Sequence, residues 1–292
     1  MNATARIGVL GGSGVYGLDG MDSVGELAID TPYGPTSDAV QLGELTGVPI
    51  AFLARHGAGH RFLPSEVPYR ANLHALRSLG VRRVLSVSAA GSLREDLPPG
   101  TFVLPDQFID RTTRRESTFF GDGIVAHVPM SEPVDAAMID VLQRAAHSLG
   151  LQARSGGTYV CIEGPQFSTR AESELYRSWG CDVIGMTNAT EAKLCREAGM
   201  SYCSVAMITD FDCWHSQHGQ VTIERIIATA RANAANARRL VSAAIPHLDR
   251  LGPSPWNDVL KGAVMTAPDQ VPPQARARTA VLFGDQLADS QP

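Results

Sequence analysis

The sequence predicts an α/β fold built on a large sheet with at least some parallel strands, and three observations support this prediction. Short apolar runs of strand length alternate with helical patterns over residues 1–246, which is the order expected of a sheet covered by helices. Several of these runs end abruptly at glycine or polar residues. The composition, 44% hydrophobic and 19% charged, is that of a globular domain that can bury a sizeable core.

The individual elements follow from apolar spacing and from glycine stop signals. Tyr69, Leu73 and Leu76 share one face of a helix that Gly80 ends, and Thr169-Arg170-Ala171-Glu172 is a capping box that opens another. The predicted helices cover about residues 69–79, 134–149, 170–179, 189–198 and 223–246. The predicted strands cover about residues 7–10, 49–54, 81–87, 102–104, 107–110, 158–162, 182–187 and 201–208.

Residues 1–266 are expected to form one domain, followed by a proline-rich and flexible tail over residues 267–292. The net charge of −5 gives no general case for binding nucleic acid or an anionic membrane. No apolar run approaches the roughly 18 residues of a membrane span, and the N-terminus does not have the pattern of a secretory signal. The five cysteines are scattered without CxxC spacing, so we expect reduced thiols, a cytoplasmic protein and no metal site.

Polar side chains follow several predicted strands, at the position where open α/β sheets bind ligands. Arg55 offers a permanent cation with a planar fork of donors that suits phosphate, and His56 offers a titratable donor. Taken singly, such residues also fit a surface ion pair or a tight turn. Because no metal-type carboxylate cluster accompanies them, we expect an inorganic oxyanion bound without metal. The candidate residues are Ser13, Arg55, His56, Ser88, Ala89 and Thr187.

The first of these strand ends has a second possible meaning. Gly12-Ser13-Gly14-Val15-Tyr16-Gly17 fits GxGxxG, which would indicate an NAD-dependent oxidoreductase. That fingerprint must open a helix directly, whereas Gly20 and Gly25 follow with no helical periodicity. A turn whose backbone N–H groups cradle an anion is the better interpretation, and a purely structural turn remains an alternative.

Asp210 and Asp212 follow the strand over residues 201–208. A surface turn is the simplest explanation for such a pair. Burial, however, raises the pKa of a carboxylic acid and makes it a proton donor, and a departing purine needs a proton at N7. The second carboxylate would accept from a 6-amino group. Phe167 would stack on a flat ligand and Met186 would line a sugar, although core packing is the simpler role for Phe167 and an equal one for Met186.

A series of motifs, in order through about residue 260, resembles the methylthioadenosine phosphorylases of the trimeric purine nucleoside phosphorylase family. The resemblance implies a phosphorylase/hydrolase-like α/β fold, with a distorted mixed β-sheet flanked by helices, and a homotrimer with sites near subunit interfaces. The motifs are Gly11-Gly12-Ser13-Gly14, Thr31-Pro32-Tyr33-Gly34, Leu53-Ala54-Arg55-His56-Gly57, Asn72-Leu73-His74-Ala75-Leu76, Ala90-Gly91-Ser92-Leu93, Asp106-Gln107-Phe108-Ile109-Asp110-Arg111-Thr112, Glu163-Gly164-Pro165-Gln166-Phe167-Ser168, Met186-Thr187 and Thr209-Asp210-Phe211-Asp212-Cys213-Trp214.

The resemblance also implies roles for individual residues. Phosphate would contact the six strand-end residues given above, ribose would rest on Met186, and the base would pack beside Phe167. Asp210 would protonate N7 and Asp212 would hold the 6-amino group. The implied reaction is phosphorolysis of S-methyl-5′-thioadenosine, with phosphate as co-substrate and no cofactor. Substrate preference would be adjusted by Ser168, by Ile223 and, from the neighbouring subunit, by His127.

Other functions stay open on the sequence. A phosphorylase for another 5′-modified adenosine, such as a 5′-halo-5′-deoxyadenosine, or a general purine nucleoside phosphorylase would share the phosphate and base sites. A nucleosidase that uses water would leave the phosphate residues without a purpose. The NAD-dependent oxidoreductase rests on the glycine-rich turn alone, and a non-catalytic nucleoside-binding protein would leave the aspartate pair unexplained.

Overall fold

The structure, a computed structural model, describes residues 5–215 and 223–283 of the 292-residue chain. Its strands are β1 (Ile7–Gly11), β2 (Met21–Leu27), β3 (Asp30–Thr31), β4 (Gly34–Pro35), β5 (Val40–Leu45), β6 (Val48–Ala54), β7 (Arg83–Ser92), β8 (Phe102–Leu104), β9 (Gln107–Asp110), β10 (Ala153–Ser155), β11 (Thr158–Cys161), β12 (Val183–Gly185) and β13 (Ser201–Asp210). Its α-helices are α1 (Tyr69–Ser78), α2 (Ala136–Ser148), α3 (Arg170–Ser178), α4 (Asn188–Glu197), α5 (Ile223–Asp249) and α6 (Pro273–Phe283).

An eleven-stranded mixed sheet forms the centre of the fold. Strands β6, β1, β7 and β13 lie side by side and are parallel. Antiparallel strands β5 and β2 extend one edge. At its far end, the long strand β7 also pairs antiparallel with β12, which carries β11 and β9. The predicted α/β class and the distorted mixed sheet flanked by helices are therefore confirmed.

Burial explains why the central strands appear in the sequence as continuous apolar runs. All five residues of β1 are buried, and so are nine of the ten residues of β13. Helices α4 and α5 both pack on β13, while α1 packs with α4 and α2 with α5. A strand covered on both faces shows no alternation of apolar and polar residues, and this arrangement aligns the carboxyl ends of the parallel strands at one edge.

The helix ends match the signals in the sequence. The capping box of Thr169 and Glu172 is present at the start of α3. Gly80 and Gly180 follow helices with φ of 94° and 78°, a left-handed conformation that glycine adopts without strain. One difference is that α5 continues through Pro246 to Asp249, beyond its predicted end. None of the helices within the described ranges is long and apolar enough to cross a membrane.

The C-terminal segment differs from the expected flexible tail over residues 267–292. A 3-10 turn over Pro268–Gln270 leads into α6, whose Leu282 and Phe283 are buried against the main core. The rings of Phe283 and Phe120 lie 6.1 Å apart. Pro268 and Pro273 are the first residues of these two helical turns, where the missing N–H costs nothing. Proline content alone therefore does not indicate disorder over residues 268–283. Residues 284–292 lie outside the described part.

Candidate active site

A cavity of about 300 Å³ opens where β1, β6, β7, β12 and β13 end. Because the parallel strands β1, β6, β7 and β13 end at the same edge of the sheet, side chains far apart in sequence meet there. Strand β12 runs antiparallel to β7 and ends beside it. The structure brings most of the predicted site residues together in this one cavity. Those lining it are Ser13, Arg55, His56, Ser88, Ala89, Phe167, Ser168, Met186, Thr187, Asp210 and Asp212.

The glycine-rich turn after β1 makes room for an arginine rather than opening a helix. A Cβ atom on Gly12 would lie 2.5 Å from the Val87 carbonyl oxygen and 2.6 Å from Nη1 of Arg55. The turn leads into strand β2, not a helix. The GxGxxG interpretation therefore lacks the strand–turn–helix context that it requires.

Arg55 is held in one orientation beneath this turn. Its side chain is 1% exposed; Nε donates to the Glu191 carboxylate, and Nη2 donates to Ser86 Oγ at 2.5 Å. Nη1 donates to the Val87 carbonyl at 3.3 Å. Burial alone would lower the pKa of Arg55, but Glu191 outweighs this effect and the net pKa is raised. Arg55 is thus a buried, permanently charged donor, and a surface ion pair is the wrong interpretation for it.

His56 has a different role from the titratable donor expected beside Arg55. Its Nδ1 lies 2.9 Å from the Phe62 carbonyl oxygen; because a carbonyl only accepts, Nδ1 carries the hydrogen. Burial and the charge of Arg55 lower the pKa of His56 to about 3, so the ring is neutral near pH 7. Its Nε2 is then an acceptor, suited to a hydroxyl or to the hydrogen of a monoprotonated phosphate.

Hydroxyl groups complete this end of the cavity. Ser88 Oγ donates to Asn188 Oδ1 at 2.8 Å, which fixes the hydroxyl while leaving its oxygen able to accept. Thr187 is the N-cap of α4, and its side chain makes no capping hydrogen bond. The N-terminus of α4 therefore borders the cavity, where its partial positive charge favours an anion.

The opposite end of the cavity contains the aspartate pair. Asp210 Oδ1 accepts from the Asp212 backbone N–H at 2.8 Å, and Oδ2 accepts from Thr209 Oγ1 at 2.7 Å. Asp212 is 7% exposed, has a left-handed φ of 50°, and its Oδ2 has no hydrogen-bond partner in the described parts of the chain. Burial raises the pKa of Asp212 to about 6, with Ser173 opposing the shift and Asp210 adding to it.

Burial thus makes Asp212 a candidate acid, in addition to Asp210, to which the sequence pointed. The surface-turn explanation does not fit Asp212, because that residue is buried. Phe167, by contrast, is 45% exposed at the cavity mouth, so core packing is the wrong role for it. Met186 is partly buried and packs on a small apolar cluster while also lining the cavity.

Comparison with known protein families bears directly on this site. The sequence model of the phosphorylase superfamily matches residues 6–246. This chain belongs to the phosphorylase superfamily. The resemblance seen in the motifs is confirmed by relatives within that superfamily.

Two curated relatives cover nearly the whole chain. The S-methyl-5′-thioadenosine phosphorylase of Rhodospirillum rubrum is 53% identical over 284 residues, which is 96% of this chain and 97% of the relative. The enzyme of the same name from Koribacter versatilis is 50% identical over 287 residues, 98% of each chain. Each alignment therefore covers nearly the full length of this chain and of the relative.

Solved structures agree with this assignment. A methylthioadenosine phosphorylase from an antarctic soil metagenomic library superposes with a TM-score of 0.91 at 47% identity, covering 96% of this chain and 99% of that one. The methylthioadenosine phosphorylase of Schistosoma mansoni in complex with adenine gives a TM-score of 0.82 at 34% identity, covering 96% and 98%. The predicted phosphorylase-like fold is confirmed.

Two further predicted residues are not among the described residues that line this cavity. His127 is exposed, and its backbone N–H donates to the Ala263 carbonyl at 2.9 Å, so one chain alone does not bring it to the site. Ile223 is the first residue of α5; its side chain lies outside the described part of the structure. Neither expectation is tested by this single chain.

Sequence reasoning missed Arg115, which supports the wall of the cavity. Its side chain is 1% exposed and binds the Glu163 carboxylate at 3.0 Å and the Glu163 carbonyl at 2.7 Å, and it also donates to the Met186 carbonyl. It therefore joins the loop after β11 to the residues after β12. In the sequence it stands in Arg114-Arg115-Glu116, a charged run typical of an exposed surface.

His60 and Thr209 also line the cavity and were not predicted. The His60 ring stacks on His56 with centroids 4.2 Å apart, and its Nδ1 lies 3.1 Å from the Tyr16 hydroxyl. Among the described residues, no group of three or more His, Cys, Asp or Glu side chains is arranged to hold a metal ion.

Proposed function

We propose that this protein is a purine nucleoside phosphorylase-type pentosyltransferase that converts S-methyl-5′-thioadenosine and phosphate to adenine and 5-methylthioribose 1-phosphate. One observation carries the proposal. A single cavity holds a buried arginine with hydroxyl groups at one end and a pair of carboxyl groups at the other. The names of the most similar relatives support the choice of substrate.

The first end suits phosphate as the attacking group. Arg55 donates to the anion, while Ser13, Ser88 and Thr187 surround it with hydroxyl groups. A phosphate oxygen attacks C1′ as the C1′–N9 bond breaks. Because the arginine is already fixed by its partners, the anion is held close to the positive charge that develops on the sugar, and little reorganisation is needed in the transition state.

The second end suits a purine as the leaving group. The ring packs beside Phe167, the ribose lies on Met186, and the electron pair of the breaking bond passes to the purine. The aspartate pair holds one proton for N7, and its other carboxylate accepts from the 6-amino group. The resemblance implies that Asp210 is at N7 and Asp212 at the amino group. Because burial raises the pKa of Asp212, the Asp210→Asn and Asp212→Asn variants decide which of the two is the acid.

The full assembly and cellular setting are part of the same proposal. We infer a homotrimer in which His127 reaches the 5′ end of a neighbouring subunit's substrate; its exposed position outside its own cavity supports this. Ser168 and Ile223 would adjust substrate preference. Residues 1–266 would be the catalytic domain. All five cysteines are free and four are buried, which suits a reducing cytoplasm. Phosphate would be the co-substrate, with no cofactor.

A phosphate-dependence assay tests this function. Adenine release from S-methyl-5′-thioadenosine should require phosphate and should yield a sugar phosphate. Equal release without phosphate would show a nucleosidase instead. The values of kcat/KM for S-methyl-5′-thioadenosine, adenosine and a 5′-halo-5′-deoxyadenosine then identify the 5′ group, and inosine tests the choice of base.

A further inference from the structure

Behind the phosphate end of the cavity lies a layer of buried polar side chains that does not line the cavity itself. Ser86 and Asn188 are fully buried, and Glu191 and Tyr202 are each 1% exposed. We call these four residues the inner network. They come from β7, α4 and β13, and they contact one another and two of the residues that face the cavity.

Glu191 is the common acceptor of this inner network. Its Oε1 accepts from Nε of Arg55. Its Oε2 accepts from the Tyr202 hydroxyl at 2.8 Å and from Nδ2 of Asn188 at 3.3 Å. Both oxygens of Glu191 are thus occupied as acceptors.

Asn188 connects Glu191 to a second residue that lines the cavity, Ser88. The Nδ2 atom of Asn188 has two hydrogens, which point to the Tyr202 hydroxyl at 2.9 Å and to Ser86 Oγ at 3.0 Å, with Glu191 Oε2 at 3.3 Å as a more distant, shared acceptor. With all these acceptors around Nδ2, Oδ1 must point the other way, where it accepts from Ser88 Oγ at 2.8 Å. The orientation of Ser88 therefore depends on the inner network, as does that of Arg55.

We propose that Glu191 is a positioning residue for the phosphate subsite, fixing Arg55 directly and Ser88 through Asn188. This inference rests on the proposed phosphorolysis. It also says how the anion is held. Glu191 balances the charge of Arg55, and His56 is neutral near pH 7. The subsite therefore recognises phosphate through directed hydrogen bonds more than through net positive charge.

The Glu191→Gln variant distinguishes recognition by net charge from recognition by directed hydrogen bonds, because the two predict opposite changes in the KM for phosphate. If net charge governed binding, removing a buried negative charge would lower the KM for phosphate. If position governs, the KM rises, because a glutamine offers one acceptor oxygen and turns an N–H toward donors on Tyr202 and Asn188. We expect the KM for phosphate to rise roughly 10- to 100-fold, with the KM for S-methyl-5′-thioadenosine changed less than about twofold.

Two further variants keep the inference testable if Glu191→Gln does not fold. Tyr202→Phe removes one donor to Glu191 without removing the charge, and we expect a rise of roughly three- to tenfold in the KM for phosphate. Glu197→Gln is the matched control. Glu197 is buried on the same helix, but it binds Thr118 and Phe119 instead of Arg55. The KM of the Glu197→Gln variant for phosphate should equal that of the wild type.

The wild-type protein distinguishes the two levels of the proposal. If wild-type adenine release does not depend on phosphate, the proposed function fails. If it does depend on phosphate but folded Glu191→Gln or Tyr202→Phe protein keeps the wild-type KM for phosphate or lowers it, the positioning role alone fails. Thermal unfolding of each variant shows whether it is folded at the assay temperature.

Discussion

At the phosphate end of the cavity, the charged side chain is satisfied before any substrate arrives, since Arg55 has Glu191, Ser86 and Val87 as partners. At the base end, Asp212 is buried with one carboxylate oxygen lacking a partner among the described residues. The phosphate end is therefore already ordered before substrate binds. At the base end, burial makes the ionised form of Asp212 unfavourable, and this cost is removed when the carboxyl group is protonated. The comparison indicates that the side chains of the anion site are fixed in position, whereas the aspartate pair can gain and lose the proton that the leaving group needs.

The largest expected effect concerns the base end. Asp210→Asn should lower kcat for S-methyl-5′-thioadenosine by roughly 10²–10⁴-fold, because proton donation to the leaving group is lost. Asp212→Asn should lower it less and should improve the relative use of a 6-oxopurine substrate such as methylthioinosine. Steady-state kinetics with both substrates measures this. A larger loss for Asp212→Asn would assign the acid to Asp212, as its raised pKa suggests.

The next effect concerns the buried pair at the phosphate end. Arg55→Met leaves the Glu191 charge buried and unpaired, so the free energy of unfolding should fall by about 3–5 kcal/mol. The double variant Arg55→Met, Glu191→Met should recover much of that loss, because it buries no charge. Urea unfolding of the wild type and the two variants measures this. A single variant as stable as the double one would show that the pair is not the cause.

The pH dependence of stability examines the base end in the absence of substrate. Burial raises the pKa of Asp212 from 3.8 to about 6, so its contribution to the free energy of unfolding is fully present below about pH 4 and is lost as pH rises through about 6. A shift of about two pKa units corresponds to about 3 kcal/mol. Between about pH 4 and about pH 8, Asp212→Asn protein should therefore lose less stability than the wild type, and equal losses would contradict this.

The smallest effect tests whether the two ends act independently. Phe167→Ala should raise the KM for S-methyl-5′-thioadenosine about 2- to 10-fold by removing one aromatic contact. The KM for phosphate should stay at the wild-type value, because Phe167 does not contact the inner network. Phe167→Tyr, which keeps the ring, is the control. A parallel rise in both KM values would show that the ends are coupled.

Many of the residues that line the cavity could be predicted from the sequence because they follow apolar runs of strand length. Ser13, Arg55 and Thr187 lie one or two residues beyond the ends of β1, β6 and β12, each of which was predicted. Parallel strands bring the first two together by topology alone, whereas Thr187 arrives there through the antiparallel pairing of β12 with β7. The same reasoning predicted the place of Asp210 and Asp212. It did not predict that the pKa of Asp212 is raised, since that depends on how deeply the loop after β13 is buried.

The buried charged residues behind the cavity could not be predicted from the sequence. Glu191 lies 136 positions from Arg55, so no local pattern announces the pair. Arg115 and Glu191 each stand among residues typical of an exposed helix or loop. The helix within the described part of the tail was missed for a similar reason, because composition alone does not reveal that Leu282 and Phe283 pack against the main core.

The space above Gly12 has a consequence for how this chain can vary. Any side chain there would meet Nη1 of Arg55 and the backbone of β7, so residue 12 is constrained by the arginine of a different strand. Homologues that keep an arginine at position 55 should keep glycine at position 12. The Val87 carbonyl oxygen would lie 2.5 Å from the added Cβ atom even without the arginine, so loss of Arg55 alone does not make alanine or serine tolerable at position 12.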